Sequence, residues 1–237
     1  MSVENLAKSS APFLTWLARW KKDLKPVQLS DLVAGEPSRV AIMCTDLVVG
    51  FCYEGSLSSP RIARIVRPNV ELFKKAHAAG VGHFVLPQDT HSPDAIEFDS
   101  FAPHCVAGTR EAETVSELLA LPFAKAITVI PKDSIHPDLG TRLGDWLEAH
   151  PKVNVFIVTG DCTDICVYQL AMHLRMRANA LGLWQRVVLP VNCVDTYDLP
   201  VERAEELGIL PHDGNLLHAV FLYSMALNGV EVVAEVV

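Results

Sequence analysis

Two cysteines stand four positions apart in the segment VTGDCTDICVYQLA, which covers residues 158–171. An apolar run precedes this segment and a helical pattern follows it, so we expect both thiols near a strand-to-helix turn. Thr163 is a suitable N-cap, which would place Cys166 in the first turn of the helix. There the unpaired backbone N–H groups and the helix dipole would lower the pKa of the Cys166 thiol. Cys162 precedes the cap and lies outside that field.

The spacing of these cysteines leaves the role of Cys166 open. Redox pairs and zinc sites favour two residues between cysteines, whereas three residues separate Cys162 from Cys166. Judged by residue type alone, a cysteine at such a position is more often an inert buried thiol than a nucleophile. A catalytic role therefore depends on which other reactive side chains lie beside it.

Charged residues follow three other strand-like runs, at the point where each run ends: Asp46, Asp89 and Lys132. Because the ligand crevice of an open α/β sheet lies outside the carboxyl ends of its strands, these side chains should converge with Cys166. A carboxylate can remove the proton of a thiol, and an ammonium group stabilises both the carboxylate and the thiolate. The four positions together favour a cysteine nucleophile supported by Asp46 and Lys132.

The elements that would hold these side chains alternate along the chain. Apolar runs typical of buried strands are RVAIMCTD, GHFVLPQD, AITVIPKD, VNVFIVTGD, RVVLPVNCVD and VEVVAEVV. Helical patterns lie between them, near residues 62–79, 112–120, 139–149, 164–180 and 215–228. Apolar strands separated by helices are typical of a parallel sheet with both faces covered. The pattern predicts a three-layer α/β fold with a central, mainly parallel sheet of six strands.

Residues 1–36 form an extension ahead of the first predicted strand, and residues 37–237 form the predicted main domain. Apolar residues recur at helical spacing in the extension: Phe13, Leu14, Trp16, Leu17, Trp20 and Leu24. This pattern predicts a helix that packs on the main body or on a neighbouring subunit. A helix on a membrane surface is the weaker alternative, because the basic residues are few.

Composition indicates which partners, which domain size and which cellular compartment suit this sequence. The 237 residues carry a formal net charge of −8, which disfavours nucleic acid and anionic membrane surfaces. Half of the residues are apolar, which suits one large α/β domain. Six cysteines scattered over strands and turns are typical of reduced thiols in a cytoplasmic protein. The apolar stretch APFLTWLARW is interrupted by Arg19, so we expect neither a signal peptide nor a membrane helix.

A second group of polar residues lies in QDTHSPDAIEFDSFAPHC, at the end of a predicted strand and in the residues that follow it. Asp89 and His91 are two positions apart, and Glu97 and His104 come after them. Each of these residues alone would suit an exposed loop at least as well. Two imidazoles and two carboxylates together suit a divalent transition metal with open water positions, namely zinc, iron or manganese.

Three segments resemble motifs of the isochorismatase-like cysteine hydrolases, and within that family of the nicotinamidases. MCTDLVVGFCYEGSL resembles the first strand with its catalytic aspartate, VIPKDS the lysine segment, and VTGDCTDICVYQLA the G-x-x-T-D-x-C-V nucleophile turn. The resemblance covers about residues 38–237 and implies the family's fold and a triad of Asp46, Lys132 and Cys166. It also implies a cis peptide bond before Cys162 and an oxyanion hole formed by the backbone N–H groups of Cys162 and Cys166.

The resemblance extends to the second polar group. Nicotinamidases carry D-x-H and a later P-H-C at this place, some of them with a glutamate seven residues before the P-H, and all four residues of the group match. This match implies one bound divalent metal ion, with zinc expected first, that binds the pyridine nitrogen and orients the ring. It also implies that Phe51 packs against the pyridine ring and that Phe101, which stands where a tryptophan is common, is a second substrate-binding residue.

The reaction implied is hydrolysis of nicotinamide to nicotinate and ammonia through a thioester on Cys166. The first strand departs from the usual D-x-Q-x-D-F, with Val48 and Gly50 in place of the glutamine and second aspartate. Another small amide, carbamoyl or lactam compound is therefore the alternative substrate, and isochorismate is a weaker one because vinyl-ether hydrolysis needs neither thiol nor metal. A non-catalytic binding protein and a thiol sensor are the remaining alternatives.

Family members commonly form dimers or tetramers, so we expect a homo-oligomer.

Overall fold

A parallel sheet of seven strands runs through the centre of the computed structural model, which describes residues 2–237. The strands are β1 (Val40–Thr45), β2 (His83–Asp89), β3 (Ile127–Lys132), β4 (Val155–Asp161), β5 (Arg186–Pro190), β6 (Val194–Asp195) and β7 (Glu231–Val233). Their order across the sheet is β3-β2-β1-β4-β5-β7, and β6 pairs with the last two residues of β4. Each of these strand pairs is parallel.

Helices cover both faces of the sheet. They are α1 (Val3–Lys22), α2 (Leu29–Val33), α3 (Val49–Cys52), α4 (Pro60–Ala78), α5 (Ser116–Leu119), α6 (Leu143–Ala149), α7 (Cys166–Leu181), α8 (Val201–Leu207) and α9 (Gly214–Leu227). Apolar side chains of α2, α3, α4 and α5 form one core with the strands, and those of α6, α7 and α9 form a second core on the opposite face. The predicted three-layer α/β fold with a parallel central sheet is confirmed.

The sheet has seven strands where six were predicted, and the difference lies in the run RVVLPVNCVD. Strand β5 ends at Pro190, whose nitrogen carries no hydrogen to continue the ladder. A 3-10 turn over Val191–Cys193 follows, and the chain then resumes as the two-residue strand β6. Because β6 pairs Asp195 with Asp161, it extends the sheet at the carboxyl end of β4, where the predicted nucleophile turn begins.

The long helices agree with the prediction, and the differences lie in the short helices that connect the main elements. Helices α4, α6, α7 and α9 lie within or overlap the predicted helical stretches. The stretch predicted at 112–120 is only partly helical, with a 3-10 turn over Arg110–Ala112 and the short helix α5 after it. Helices α2, α3 and α8 were not predicted; they have four to seven residues each, which is too short to show a clear periodic pattern.

The N-terminal extension contains α1, the helix predicted from its apolar spacing. Leu17 is buried, and the rings of Trp16 and Trp20 form T-shaped contacts with the ring of Tyr223 on α9 at centroid distances of 5.6 and 6.2 Å. The helix therefore packs on the main body, which is one of the two arrangements predicted; the other was packing on a neighbouring subunit. The division into an extension of residues 1–36 and a domain of residues 37–237 stays a prediction. None of the helices in residues 2–237 combines the length and hydropathy required to span a bilayer.

Strands β1 and β4 come very close together at Gly160, just before the nucleophile turn. Gly160 pairs with Thr45 and has a φ of +106°, a backbone conformation that favours glycine. A Cβ atom at this position would lie 1.9 Å from the carbonyl oxygen of Thr45. Since Thr45 directly precedes Asp46, the absence of a side chain at Gly160 allows Asp46 and the nucleophile turn to approach each other.

We predict that Gly160→Ala destabilises the protein by about 3 kcal/mol or more, because the added methyl group collides with rigid backbone. Gly182→Ala is the matched control: Gly182 also has a positive φ, of 64°, but a Cβ there has no heavy atom within 4 Å. That substitution should cost only about 1 kcal/mol. Urea unfolding of both variants measures the difference, and equal losses would show that the contact with Thr45 is unimportant.

Candidate active site

The three predicted catalytic side chains meet at the carboxyl ends of the strands. Asp46 follows β1, Lys132 ends β3, and Cys166 begins α7. The Nζ atom of Lys132 lies 3.1 Å from Oδ2 of Asp46 and 3.5 Å from Sγ of Cys166. A carboxylate oxygen of Asp46 and the Cys166 sulfur lie within 4.8 Å of each other. The structure thus brings these residues together, as the sequence pattern predicted.

Asp46 is held by hydrogen bonds on both carboxylate oxygens. The backbone N–H of Asp89 donates to Oδ1 at 2.7 Å, and the hydroxyl of Thr45 donates to Oδ2 at 2.5 Å. The backbone of Asp46 has a φ of 60°, which is uncommon for a residue with a side chain and turns the chain away from the strand direction. These contacts fix the carboxylate between β1 and β2, facing the ammonium group of Lys132.

Lys132 forms an ion pair with two carboxylates in the interior. Besides Asp46, its Nζ atom donates to Oδ1 of Asp89 at 2.5 Å, and the side chains of all three residues are at most 3 % exposed. Burial acts against a charged ammonium group, but the two carboxylates outweigh it and raise the pKa of Lys132 well above its ordinary value. Lys132 is therefore a permanent positive charge.

Burial changes the pKa values of both Asp46 and Cys166, and for the Cys166 thiol the direction is opposite to the one predicted. Burial, with a further contribution from the negative charge of Asp89, raises the pKa of Asp46 to about 6, so this carboxyl is mainly ionised at neutral pH. Burial raises the pKa of the Cys166 thiol well above its ordinary value, in spite of the opposing charge of Lys132. The predicted lowering of this pKa is therefore wrong, because desolvation of a thiol that is 6 % exposed dominates.

The N-cap of the helix that begins at Cys166 also differs from the prediction. Helix α7 begins at Cys166 with Ile165 at the cap position, and the Thr163 hydroxyl instead forms a hydrogen bond with Nδ1 of His218 at 2.9 Å. Thr163 is therefore not the N-cap, because its side chain is taken up by this tertiary contact. The peptide bond between Asp161 and Cys162 is cis, as the resemblance implied.

Two backbone N–H groups near the thiol are free to bind a ligand. Those of Cys162 and Cys166 donate to no protein acceptor within residues 2–237. Cys166 is the first residue of α7, where no intrahelical acceptor exists. A pair of free N–H groups beside a nucleophile is the arrangement that stabilises negative charge on a carbonyl oxygen.

Three of the four predicted metal ligands form a compact cluster beside Lys132. Each of Asp89, His91 and His104 offers a ligand atom within 4.8 Å of the others, and all three residues are buried. The Nε2 atom of His91 lies 3.4 Å from Oδ1 of Asp89 and 3.9 Å from Oε1 of Glu97. Glu97 lies at the edge of the cluster, and its other oxygen accepts the backbone N–H of Ile135 at 3.0 Å.

The histidines are oriented as metal ligands require. Nδ1 of His91 lies 2.9 Å from Oδ1 of Asp133, and Nδ1 of His104 lies 2.9 Å from the carbonyl oxygen of Ala102. These acceptors place a proton on each Nδ1 atom and leave Nε2 as a lone-pair donor. Nε2 of His91 is buried without a hydrogen-bond partner, which is costly unless a cation binds there. The donor set of imidazoles and carboxylates fits zinc, iron or manganese.

Asp133 was missed by the sequence reasoning. It directly follows Lys132 and is half exposed, and only the fold shows that it reaches His91. A carboxylate behind a ligating histidine is a common supporting contact in metal sites. The sequence offered no signal beyond its position next to a catalytic candidate.

Aromatic rings border the histidine cluster. Phe51 lies 5.4 Å and Phe101 6.3 Å from the ring centroid of His104, so both predicted ring contacts are near the cluster. Phe98 was not predicted, although it lies 5.4 Å from His91 and 5.6 Å from His104. Apolar rings are side chains that can pack against a flat heterocycle.

Comparison with known proteins agrees with the motifs. The family model described as "Isochorismatase domain" matches residues 40–207. Over 235 residues the chain is 29 % identical to nicotinamidase 1 of Arabidopsis thaliana, covering 91 % of this chain and 94 % of the relative.

Solved structures of related proteins share the fold. A pyrazinamidase of Pyrococcus horikoshii in complex with zinc superposes with a TM-score of 0.62 at 21 % identity, over 82 % of this chain and 98 % of that one. A nicotinamidase from Bacillus subtilis superposes with a TM-score of 0.61 at 24 % identity, over 82 % and 99 %. The resemblance inferred from the motifs is confirmed: the chain belongs to the isochorismatase domain family and is an isochorismatase-like amidohydrolase.

Proposed function

We propose that the protein is a metal-dependent nicotinamidase, which hydrolyses nicotinamide to nicotinate and ammonia through a thioester on Cys166. The observation that carries this proposal is the contact between two groups: Lys132 binds the base Asp46 and also Asp89, which belongs to the histidine cluster. A site for acyl transfer thus adjoins a site for a metal ion that can bind a heterocyclic nitrogen. The similarity to nicotinamidase 1 of Arabidopsis thaliana supports the same substrate.

In the proposed mechanism, Asp46 accepts the proton of Cys166 as the sulfur attacks the carboxamide carbon. The N–H groups of Cys162 and Cys166 stabilise the negative charge on the carbonyl oxygen by about 3 kcal/mol per donor. Protonated Asp46 then gives its proton to the departing nitrogen, which leaves as ammonia. Asp46, again ionised, removes a proton from water as the water oxygen attacks the thioester carbon. The C–S bond then breaks, Asp46 returns its proton to the departing sulfur, and the nicotinic acid formed ionises to nicotinate. Lys132 stays charged throughout and stabilises whichever partner is the anion.

The cluster of Asp89, His91 and His104 would hold the metal ion, with Glu97 as the fourth protein ligand or as a partner of bound water. When bound, a divalent ion supplies a coordination bond to the pyridine nitrogen and thereby orients the ring. Zinc is the expected ion, with iron or manganese as alternatives. Phe51 and Phe101 would pack against the ring.

We also propose a homo-oligomer, a dimer or tetramer, and a cytoplasmic location. Apolar side chains of α1 remain about 40 % exposed after it packs on α9, among them Phe13, Leu14 and Trp16. Such a surface could be covered by a further copy of the chain. All six cysteines are free, in agreement with a reducing compartment.

The substrate proposal predicts that the purified, metal-loaded protein releases ammonia and nicotinate in equal amounts from nicotinamide. The comparison panel is pyrazinamide, N-carbamoylsarcosine and isochorismate, each assayed by product chromatography. A kcat/KM for nicotinamide at least tenfold above the carbamoyl compound is expected. Higher efficiency on N-carbamoylsarcosine would replace this proposal with the carbamoyl alternative.

We predict that Cys166→Ala lowers kcat by at least about a thousandfold, because no other group can form the thioester. The matched control is Cys193→Ala, which also removes a buried free thiol but lies in the turn after β5, away from Lys132. Both variants should keep the circular dichroism spectrum of the parent protein. Substantial activity of Cys166→Ala would contradict the assignment of the nucleophile.

We predict that Asp133→Asn weakens metal binding by about 10- to 100-fold, because His91 loses the carboxylate that orients its ring. Metal content after dialysis against a weak chelator, measured by mass spectrometry, gives the result directly. Excess metal should restore both occupancy and activity. Asp94→Asn is the control, because Asp94 is an exposed carboxylate in the loop after β2 that also contains His91; this variant should keep its metal. Unchanged affinity in Asp133→Asn would argue against His91 as a ligand.

A further inference from the structure

One buried carboxyl group beside the active site has no role in the mechanism above. Asp161 ends β4 and is 1 % exposed. Its Oδ2 atom has no hydrogen-bond partner, and its Oδ1 atom has only a long contact, 3.9 Å, from the thiol of Cys162. A buried polar atom without a partner destabilises a folded protein. Asp161 is therefore a costly residue for this position unless something else binds it.

Covalent geometry places Asp161 next to the proposed oxyanion hole. Its own carbonyl carbon is bonded to the nitrogen of Cys162, whose free N–H is one of the two donors. The neighbouring Cys162 packs against the core on the α3 face of the sheet, which contains Cys44 and Cys52. Asp161 thus lies at the junction between β4 and the nucleophile turn.

The environment of Asp161 favours the protonated, uncharged form of its carboxyl group. Burial raises its pKa well above the ordinary value, and the negative charges of Asp46 and Asp89 raise it further. A neutral carboxyl group has one O–H donor and a carbonyl acceptor, so it resembles an asparagine amide in its hydrogen bonding. Such a group can bind an uncharged polar substrate without an ionic partner.

We propose that Asp161 is a substrate-binding residue, whose free carboxyl oxygen accepts a hydrogen bond from the N–H of the scissile carboxamide. This inference rests on the proposed function, because it takes the substrate to be an amide bound with its oxygen at the N–H of Cys162. The amide nitrogen is attached to the same carbon as that oxygen, which brings it within reach of a side chain beside Cys162. Binding of the amide satisfies the carboxyl atom that is otherwise unpaired.

The test uses two ligands with the same pyridine ring and carbonyl group: nicotinamide, whose NH2 group can donate a hydrogen bond, and methyl nicotinate, whose OCH3 group cannot. In the metal-loaded Cys166→Ala background, which prevents turnover, the dissociation constants of both are measured by calorimetry. Asp161→Leu should weaken nicotinamide binding about tenfold and methyl nicotinate binding less than twofold, since only the amide loses a hydrogen bond. Asp161→Asn should retain most of the affinity for nicotinamide.

A stability measurement separates substrate binding from a structural role. Asp161→Leu removes an unpaired buried polar atom, so its melting temperature should be equal to or a few degrees above that of the parent protein. Thr159→Val is the matched control: Thr159 lies two residues earlier on β4, and its buried hydroxyl is also without a partner. It should be at least as stable as the parent and bind both ligands unchanged.

The outcomes are distinct. Equal losses for both ligands, no loss for either, or a lower melting temperature in Asp161→Leu would overturn the role of Asp161 and leave the proposed function standing. Failure of the parent protein to hydrolyse nicotinamide would refute the proposed function, and the inference about Asp161 with it. A selective loss for the amide in a protein of undiminished stability supports it.

Discussion

The ion pair of Lys132 with Asp46 and Asp89 is the interaction on which the active site depends. Three charges lie in the protein interior, and each would be strongly unfavourable alone. Asp89 belongs to the histidine cluster and Asp46 to the proposed catalytic triad, so one ammonium group links the two parts of the site. The strand order β3-β2-β1 brings the ends that carry Lys132, Asp89 and Asp46 side by side. The sheet topology therefore places the three charges where they can neutralise one another in part.

Much of this arrangement could be predicted from the sequence, for a physical reason. Parallel strands that are apolar on both faces leave a clear pattern, and their carboxyl ends lie along one edge of the sheet. Asp46, Asp89 and Lys132 could thus be brought together without knowledge of the strand order. The nucleophile turn was recognisable because its residues are adjacent in the chain. Local sequence and one rule of topology were sufficient to predict that the three residues of the proposed triad lie together.

Features that depend on contacts between distant segments could not be predicted. Thr163 has the residue type of a helix cap, but His218 binds its hydroxyl from a helix more than fifty residues away. The pKa of Cys166 was predicted from the unpaired N–H groups and the dipole at the start of the helix, whereas burial by surrounding elements decides the direction of its shift. The contacts of Asp133 and Phe98 with His91 likewise depend on how the loops fold, which the sequence pattern does not indicate. Residue type indicates what a side chain can do, and tertiary packing decides which of those options is used.

The resting protonation state suits a buried cysteine nucleophile. With Cys166 neutral, Asp46 and Asp89 ionised and Lys132 charged, these four side chains carry one net negative charge. Transfer of the thiol proton to Asp46 leaves that total unchanged and only moves the negative charge from the carboxylate to the sulfur, a distance below 4.8 Å. Lys132 contacts both atoms, so it attracts the charge before and after the transfer. Since a change in net charge is the expensive event in a low-dielectric interior, the thiol can ionise at the moment of attack without being held ionised beforehand.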